Sequence, residues 1–151
     1  ILNNVELSNS VHTNHIINKI LSFKINKIGL YGLAFKSNTD DLRFSKSIDV
    51  CEVLIGKGMK VIVYDNAVNT SKLIGSNKEF LNSKLPHIDN LLVNSVDSLC
   101  EYSKLLVLVH KPNQKETQKV IAFLKNTKNI VLDSSINSDL KKYSNYYGIN
   151  W

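Results

Sequence analysis

The sequence lacks any apolar run long enough to cross a membrane. Its longest apolar runs, at 61–64 and 105–109, have the length of a strand, whereas a spanning helix needs about 20 apolar residues. The first residues, Ile-Leu-Asn-Asn-Val-Glu, include no initiator Met and no basic flank followed by an apolar stretch, so they do not resemble a signal peptide. We therefore expect a cytoplasmic protein with no membrane partner, and we interpret the chain as a segment of a longer one.

Arginine is almost absent, although the net charge is +6. Of the 19 basic residues, 18 are lysines and the remaining one is Arg43. Proteins that read nucleic acids usually rely on the planar fork of arginine, and the lysines here are scattered along the sequence. We therefore expect no nucleic-acid partner, and Arg43 becomes a residue to explain.

Cysteine is scarce as well, which excludes a disulfide framework and fits a reduced compartment. Cys51 and Cys100 lie in predicted helices, without the spacing of a CxxC motif or a neighbouring histidine that would activate a thiol. His12 and His15 are three residues apart, but no cysteine or carboxylate stands beside them to complete a metal site. The sequence therefore predicts neither catalytic nor metal-binding residues in this chain.

Short apolar runs alternate with segments of helical spacing. Helical spacing predicts helices at about 5–22, 45–57, 78–84, 96–102 and 114–125, and the apolar runs predict strands at 27–33, 60–64, 91–93, 105–109 and 130–132. This alternation predicts an α/β fold with a doubly wound, mostly parallel sheet. We place one boundary, between a leading helix and linker at 1–25 and the sheet domain at 26–151.

The first strand leads into a loop that lacks the usual dinucleotide fingerprint. Gly29 and Gly32 are spaced G-x-x-G, which does not match G-x-G-x-x-G. Asp65 ends the second strand, where a dinucleotide-binding fold keeps its ribose-binding acid. Without the fingerprint, we expect an Asx-type turn at Asp65 rather than a ribose contact.

The same loop concentrates opposite charges at the edge of a parallel sheet where ligands bind. Lys36 is a flexible cation suited to a phosphate or carboxylate, and Arg43 offers a bidentate fork. The alternative is structural, with Asp40 or Asp41 pairing with Arg43 to hold the loop. The residues alone leave both interpretations open.

Residues 32–43, which read Gly-Leu-Ala-Phe-Lys-Ser-Asn-Thr-Asp-Asp-Leu-Arg, carry a resemblance to a known family. They resemble the signature that opens the C-terminal domain of the UDP-glucose and GDP-mannose dehydrogenases. Segments 75–80, 84–93 and 148–151 are similar to the GDP-mannose 6-dehydrogenase branch, and 5–22 is similar to the end of the family's long central helix. The resemblance covers essentially the whole chain.

The resemblance implies two Rossmann-like domains joined by the central helix, which also forms a homodimer. It implies oxidation of a sugar C6 alcohol to the acid with NAD and a cysteine thiohemiacetal. The catalytic cysteine and the NAD fingerprint would lie in segments upstream of this chain, and the N-terminal domain would bind most of the NAD. By motif position, Lys36 matches the lysine that contacts the nucleotide sugar, and Arg43 matches the arginine that reaches NAD across the cleft.

Three places depart from the family pattern. Phe44 and Lys46 stand where the family often has Glu and Pro, and Asp133 begins the segment where UDP-glucose members often carry an Arg. His110, after the fourth predicted strand, does not match the family pattern. Two alternatives to GDP-mannose oxidation therefore stay open: the same domain of a UDP-sugar 6-dehydrogenase, or a non-catalytic α/β module that binds nucleotides or a protein, with a structural charged loop.

Overall fold

The computed structural model describes residues 2–43, 45–68, 76–85 and 88–149. Helices and strands follow one another in the order α1 Leu2–Ser22, β1 Lys27–Tyr31, α2 Lys46–Gly56, β2 Lys60–Tyr64, α3 Ser76–Lys84, α4 Val96–Tyr102, β3 Leu105–Leu108, α5 Gln114–Leu124, β4 Ile130–Asp133 and β5 Tyr146–Gly148. Short 3-10 turns at Ile88–Asn90 and Ser138–Leu140 complete the order. In the described part of the chain, no helix is long and apolar enough to cross a membrane.

The five strands form one parallel sheet in the order β2-β1-β3-β4-β5. Leu30 in the middle of β1 is opposite Val63 of β2 and Val107 of β3. The central strand β3 consists entirely of buried Leu and Val, and the three inner residues of β2 are buried Val and Ile, as expected of strands covered on both faces. The predicted doubly wound, parallel α/β fold is confirmed.

Two apolar layers cover the sheet, one on each face. Ile20 of α1 and Ile48 and Leu54 of α2 are fully buried in the layer on one face. On the other face, Leu99 of α4 and Val120 of α5 are fully buried. The end of α1 therefore packs in the same core as the sheet, while the division of the chain at residue 25 remains a prediction.

The structure corrects one predicted strand and adds two local features. The predicted strand at 91–93 makes only an isolated bridge from Leu92 to Val63, because this short segment lies beside the outer strand β2. The tail contains a strand, β5, which the tyrosine-rich sequence conceals. Ser45 precedes α2 but does not cap it with its side chain, because its hydroxyl donates to the Leu33 carbonyl instead.

Candidate functional site

A crevice opens at the carboxyl ends of β1, β2 and β3. The strand that follows β1 in the chain, β2, lies on one side of β1, and β3 lies on its other side. The connections from β1 and β2 therefore run in opposite directions across the sheet. Open α/β sheets bind ligands at such a switch point. The crevice has a volume of about 160 Å³ and is lined by Tyr31, Gly32, Ser37, Asn38, Asp65, Asn66, His110, Lys111, Asn113 and Glu116. The fold thus places a small polar cavity beside the charged loop at 32–43.

Asp65 anchors that loop to the end of β2. One of its carboxylate oxygens accepts hydrogen bonds from the backbone N–H groups of Leu33 (2.7 Å) and Ala34 (3.0 Å). The other oxygen accepts from the N–H of Ala67 (2.9 Å), two residues on. The expected Asx-type turn is confirmed, and the carboxylate is occupied by backbone donors where a dinucleotide fold uses it for ribose.

Gly32 and His110 fit together at the wall of the crevice. Gly32 has a φ of +105°, and a Cβ there would lie 2.6 Å from His110 Cγ. His110 Nε2 lies 3.0 Å from the Ala34 carbonyl oxygen, and its Nδ1 lies 3.8 Å from Asp65 Oδ2. His110 therefore joins Asp65 in holding the start of the loop, a role that sequence reasoning missed.

We expect Gly32→Ala to lower the free energy of unfolding by about 1–3 kcal/mol, because an L side chain is strained at this φ and meets the imidazole. Gly56→Ala is the matched control, since nothing lies within 4 Å of a Cβ at this helical position and alanine is the better helix former. Urea unfolding of both variants checks this. Equal changes in the two variants would show that the Gly32–His110 fit does not matter.

A buried carboxylate lies under the crevice. Glu116 accepts hydrogen bonds from the hydroxyls of Tyr31 (2.7 Å) and Tyr64 (3.1 Å). It also forms a capping box with Asn113 at the start of α5, since each residue's side chain accepts from the other's backbone N–H. The spacing Asn-x-x-Glu at 113–116 is the sequence signal of this capping box. This cluster fixes the end of β1 to the start of α5.

Burial, reinforced by the hydrogen bond to Glu116, raises the pKa of Tyr31 above its ordinary value. Since Tyr31 holds its proton more tightly in the folded chain, its contribution to stability is present below about pH 10 and declines as the pH rises beyond that value. We expect the free energy of unfolding to fall more steeply with alkaline pH in the parent protein than in Tyr31→Phe. Parallel pH profiles of urea unfolding would contradict this.

The charged loop is folded on itself above the crevice. The Phe35 N–H donates to the Asp41 carbonyl (2.8 Å), and the Thr39 hydroxyl donates to the Lys36 carbonyl (3.0 Å). Lys36 is exposed, with Nζ 5.7 Å from the ring centre of Phe35, and the Phe35 ring is itself 53% exposed. An exposed aromatic ring beside a cation is a contact surface that the sequence pattern did not single out.

Arg43 is paired within the loop. Its Nε and one terminal nitrogen each donate to an oxygen of the Asp41 carboxylate at 3.0 Å, and the Arg43 backbone N–H donates to the same carboxylate. These hydrogen bonds hold the pKa of the Asp41 carboxyl below its usual range. Both side chains are exposed, so water screens the pair and a ligand can compete for the guanidinium.

The structure thus places both predicted residues on the loop but not in the lining of the crevice. Among the described residues that line it, Gly32, Ser37 and Asn38 come from the loop, whereas Lys36 and Arg43 do not appear. A second opening of about 410 Å³ lies beyond β2, and Asp65 and Asn66 line both cavities. Asp65 and Asn66 therefore join two polar cavities at the carboxyl edge of the sheet, and the loop that carries Lys36 and Arg43 reaches the first cavity through other residues.

The thiols lie away from this chemistry. Burial raises the pKa of Cys51 to about 12, and burial, together with the charge of Asp97, raises that of Cys100 to about 11. Both groups therefore stay protonated and poorly nucleophilic near neutral pH. Among the residues that the structure describes, no group of three potential ligands could hold a metal ion.

Residues 29–137, which contain the charged loop, the crevice and most of the sheet, match the model of the UDP-glucose/GDP-mannose dehydrogenase family, UDP binding domain. The chain belongs to this family. The resemblance seen in the sequence is thereby confirmed.

The GDP-mannose relatives in the family match more of this chain than a UDP-glucose relative does. The chain is 42% identical over 101 residues to GDP-mannose 6-dehydrogenase of Pseudomonas aeruginosa, covering 67% of this chain and 23% of that protein. It is 34% identical over 108 residues to the Pseudomonas savastanoi pv. phaseolicola enzyme of the same name, covering 72% of this chain and 25% of the relative. UDP-glucose 6-dehydrogenase 4 of Arabidopsis thaliana matches over 70 residues at 33% identity, covering 43% of this chain and 15% of that protein.

Solved structures of the family have the same fold. A ternary complex of GDP-mannose dehydrogenase from Pseudomonas aeruginosa superposes with a TM-score of 0.76 at 30% identity, covering 99% of this chain and 34% of that chain. A UDP-glucose dehydrogenase from Pyrobaculum islandicum gives 0.63 at 19% identity, covering 98% of this chain and 31% of that one, which concerns the fold alone. This chain spans about a quarter of the length of the curated GDP-mannose relatives.

Proposed function

We propose that this chain is the nucleotide-sugar-binding domain of an NAD-dependent GDP-mannose 6-dehydrogenase, which oxidises GDP-mannose to GDP-mannuronate for polysaccharide biosynthesis. The observation that carries the proposal is the charged loop at 32–43, which borders a polar crevice at the switch point of the sheet. Similarity to the GDP-mannose relatives supports this branch over the UDP-sugar branch.

In this proposal, the residues of the chain bind and orient the nucleotide sugar. Lys36 supplies a mobile, exposed cation for a phosphate oxygen. Asp65 and His110 hold the start of the loop through its backbone, so that the loop is organised before the ligand arrives. A preorganised loop loses little conformational entropy on binding.

The crevice of this domain does not fit NAD as a dinucleotide fold would hold it. The acid that would bind ribose, Asp65, accepts three backbone hydrogen bonds, and the glycine fingerprint is absent. NAD would therefore be held mainly by the N-terminal domain of the same protein. Arg43 would add one contact from this side of the cleft, exchanging Asp41 for an anionic group of the cofactor.

The arrangement of the whole protein is part of the proposal. Residues 1–25 would be the end of the central helix, through which two subunits form a homodimer, and residues 26–151 would form the nucleotide-sugar-binding domain. The catalytic cysteine would lie outside this chain, in agreement with the raised pKa values of its two thiols. The protein would work in the cytoplasm.

A second candidate is a non-catalytic module that binds a nucleotide or a protein. The Asp41–Arg43 pair favours this candidate, because both oxygens of the Asp41 carboxylate bind the guanidinium, as expected of a pair whose role is to hold the loop. The matching family model includes both UDP-glucose and GDP-mannose dehydrogenases, so a UDP-sugar dehydrogenase is the alternative substrate assignment.

A substrate comparison on the whole protein tests the proposal. We expect NADH formation with GDP-mannose, and a kcat/KM for GDP-mannose well above that for UDP-glucose. A preference for UDP-glucose would select the UDP-sugar alternative. No NADH with either substrate, from protein that is folded and binds NAD, would favour the non-catalytic module.

A further inference from the structure

The edge of the sheet opposite the crevice is strongly positive. We call it the lysine edge, and define it as Lys24, Lys27, Lys57, Lys60, Lys104, Lys125 and Lys128. All seven side chains are exposed. The five segments that lead into the strands at this edge (23–26, 57–59, 103–104, 125–129 and 141–145) contain neither Asp nor Glu. Lysines that are scattered in the sequence thus meet in the fold.

Three of these lysines stand side by side across the sheet. Lys27 is opposite Lys60 in the register of β1 and β2, and the Lys104 N–H donates to the Lys27 carbonyl at 2.9 Å. Neighbouring strands are about 4.8 Å apart, so the row repeats a positive charge at that interval. Like charges in neighbouring strands are unfavourable, which makes the row costly unless an anion offsets it.

Groups within the protein do not neutralise this edge. In the parts of the chain that the structure describes, no ion pair involves any of the seven lysines, and Lys27 Nζ instead lies 5.5 Å from the ring centre of Tyr102. The acid nearest to any of these lysines in the sequence is Glu101, which lies in the last turn of α4 and shortly precedes Lys104. Helices α1, α2, α4 and α5 end at this edge, and their dipoles supply roughly half a negative charge each, about two in all. The seven positive charges of the lysines exceed the negative charge of Glu101 and of the four helix dipoles together.

The chemistry of the edge indicates the kind of anion. Helix carboxyl ends present carbonyl oxygens, which disfavour a compact phosphate site, and the edge has no arginine fork for phosphate or guanine. An evenly spaced row of lysines suits a linear polymer with one carboxylate on each repeating unit. In a polyuronate, each pyranose ring carries one carboxylate and is comparable in length to the spacing between strands.

We propose that the lysine edge binds an acidic polysaccharide, a polyuronate. The positive surface stands on the structure alone, whereas the choice of a uronate polymer rests on the proposed function, whose product is a hexuronate sugar. Since the lysine edge and the crevice lie at opposite ends of the strands, the polymer and the nucleotide sugar bind to the protein at the same time.

Affinity electrophoresis of the purified protein through gels that contain polygalacturonate, neutral dextran or DNA tests the proposal. The edge variant combines Lys27→Gln, Lys60→Gln and Lys104→Gln. Its control combines Lys84→Gln, Lys115→Gln and Lys119→Gln, which removes the same charge elsewhere. We expect polygalacturonate to retard the parent and the control, at least tenfold weaker binding by the edge variant, and loss of binding in high salt.

The outcomes answer three separate questions: whether the lysine edge is the binding surface, which polymer binds to it, and whether the proposed function holds. Equal binding by the two triple variants, no binding of polygalacturonate, or equal retardation by dextran overturns the proposal. Tighter binding of DNA at equal anion concentration also overturns it and identifies a nucleic-acid surface. Binding of GDP-mannose, measured in parallel by calorimetry, reports on the proposed function, and we expect all three proteins to bind it equally.

Discussion

Replacing Lys36 by alanine in the whole enzyme is expected to weaken the affinity for GDP-mannose by about ten- to a hundredfold. The substitution removes a charge-assisted hydrogen bond to the ligand, worth roughly 1.5–3 kcal/mol. Folding does not depend on this side chain, because it is exposed and the Phe35 ring that its Nζ contacts is exposed as well. Steady-state kinetics with GDP-mannose as the varied substrate measure the change.

Lys57→Ala is the matched control for Lys36→Ala. Lys57 is also exposed, but it follows α2 at the opposite end of the sheet from the crevice. We expect this variant to bind GDP-mannose as the parent does. If Lys36→Ala leaves KM and kcat unchanged, Lys36 is an ordinary surface lysine and the assignment of the loop fails.

Arg43→Lys is expected to raise the KM for NAD by about tenfold, and to raise the KM for GDP-mannose much less. Lysine keeps the charge but loses the planar fork, so it cannot replace two parallel hydrogen bonds. The Asp41–Arg43 pair is exposed, and exposed pairs add little to stability. The melting temperature should therefore change little.

Asp41→Asn separates the two roles of Arg43. If Arg43 reaches the cofactor, loss of the Asp41 carboxylate frees the guanidinium, and the KM for NAD stays the same or falls. If the pair only holds the loop, Asp41→Asn and Arg43→Lys lower the melting temperature alike, and the NAD kinetics follow the loss of folded protein. The second pattern would establish the structural interpretation.

The strands and helices that carry the crevice were predictable because each has a strong local signal. The strand at Lys60–Tyr64 and the helix at Val96–Tyr102 have the predicted bounds, since apolar residues of the right period fill them. β1 ends at Tyr31 rather than at residue 33, because Gly32 turns the chain with a positive φ. A positive φ at glycine is permitted by the sequence but not dictated by it.

β5 escaped prediction for a different reason. Its three residues, Tyr146–Gly148, contain no aliphatic run, and they become a strand by pairing with β4. The Tyr146 hydroxyl also donates to the buried Asp133 carboxylate at 2.8 Å. Such a strand is specified by its partners in the folded protein, and a single sequence does not reveal those partners.

The two charged residues proposed for the site are visible in the sequence, whereas the residues that hold the loop in place are not. Lys36 and Arg43 stand out in the sequence because charge in a loop after a buried strand is conspicuous. His110 and Glu116 do not, because they act through contacts with residues far away in the chain: the Ala34 carbonyl and the Tyr31 hydroxyl. Pairing of Arg43 with Asp41 likewise depends on the folded loop.

A crystal structure of the whole protein with GDP-mannose tests the central claim most directly. The account predicts the nucleotide sugar at the carboxyl edge of this sheet, beside the loop at 32–43, with Lys36 Nζ within hydrogen-bond distance of a ligand oxygen. GDP-mannose bound elsewhere in the protein, with this loop facing only solvent, would contradict it.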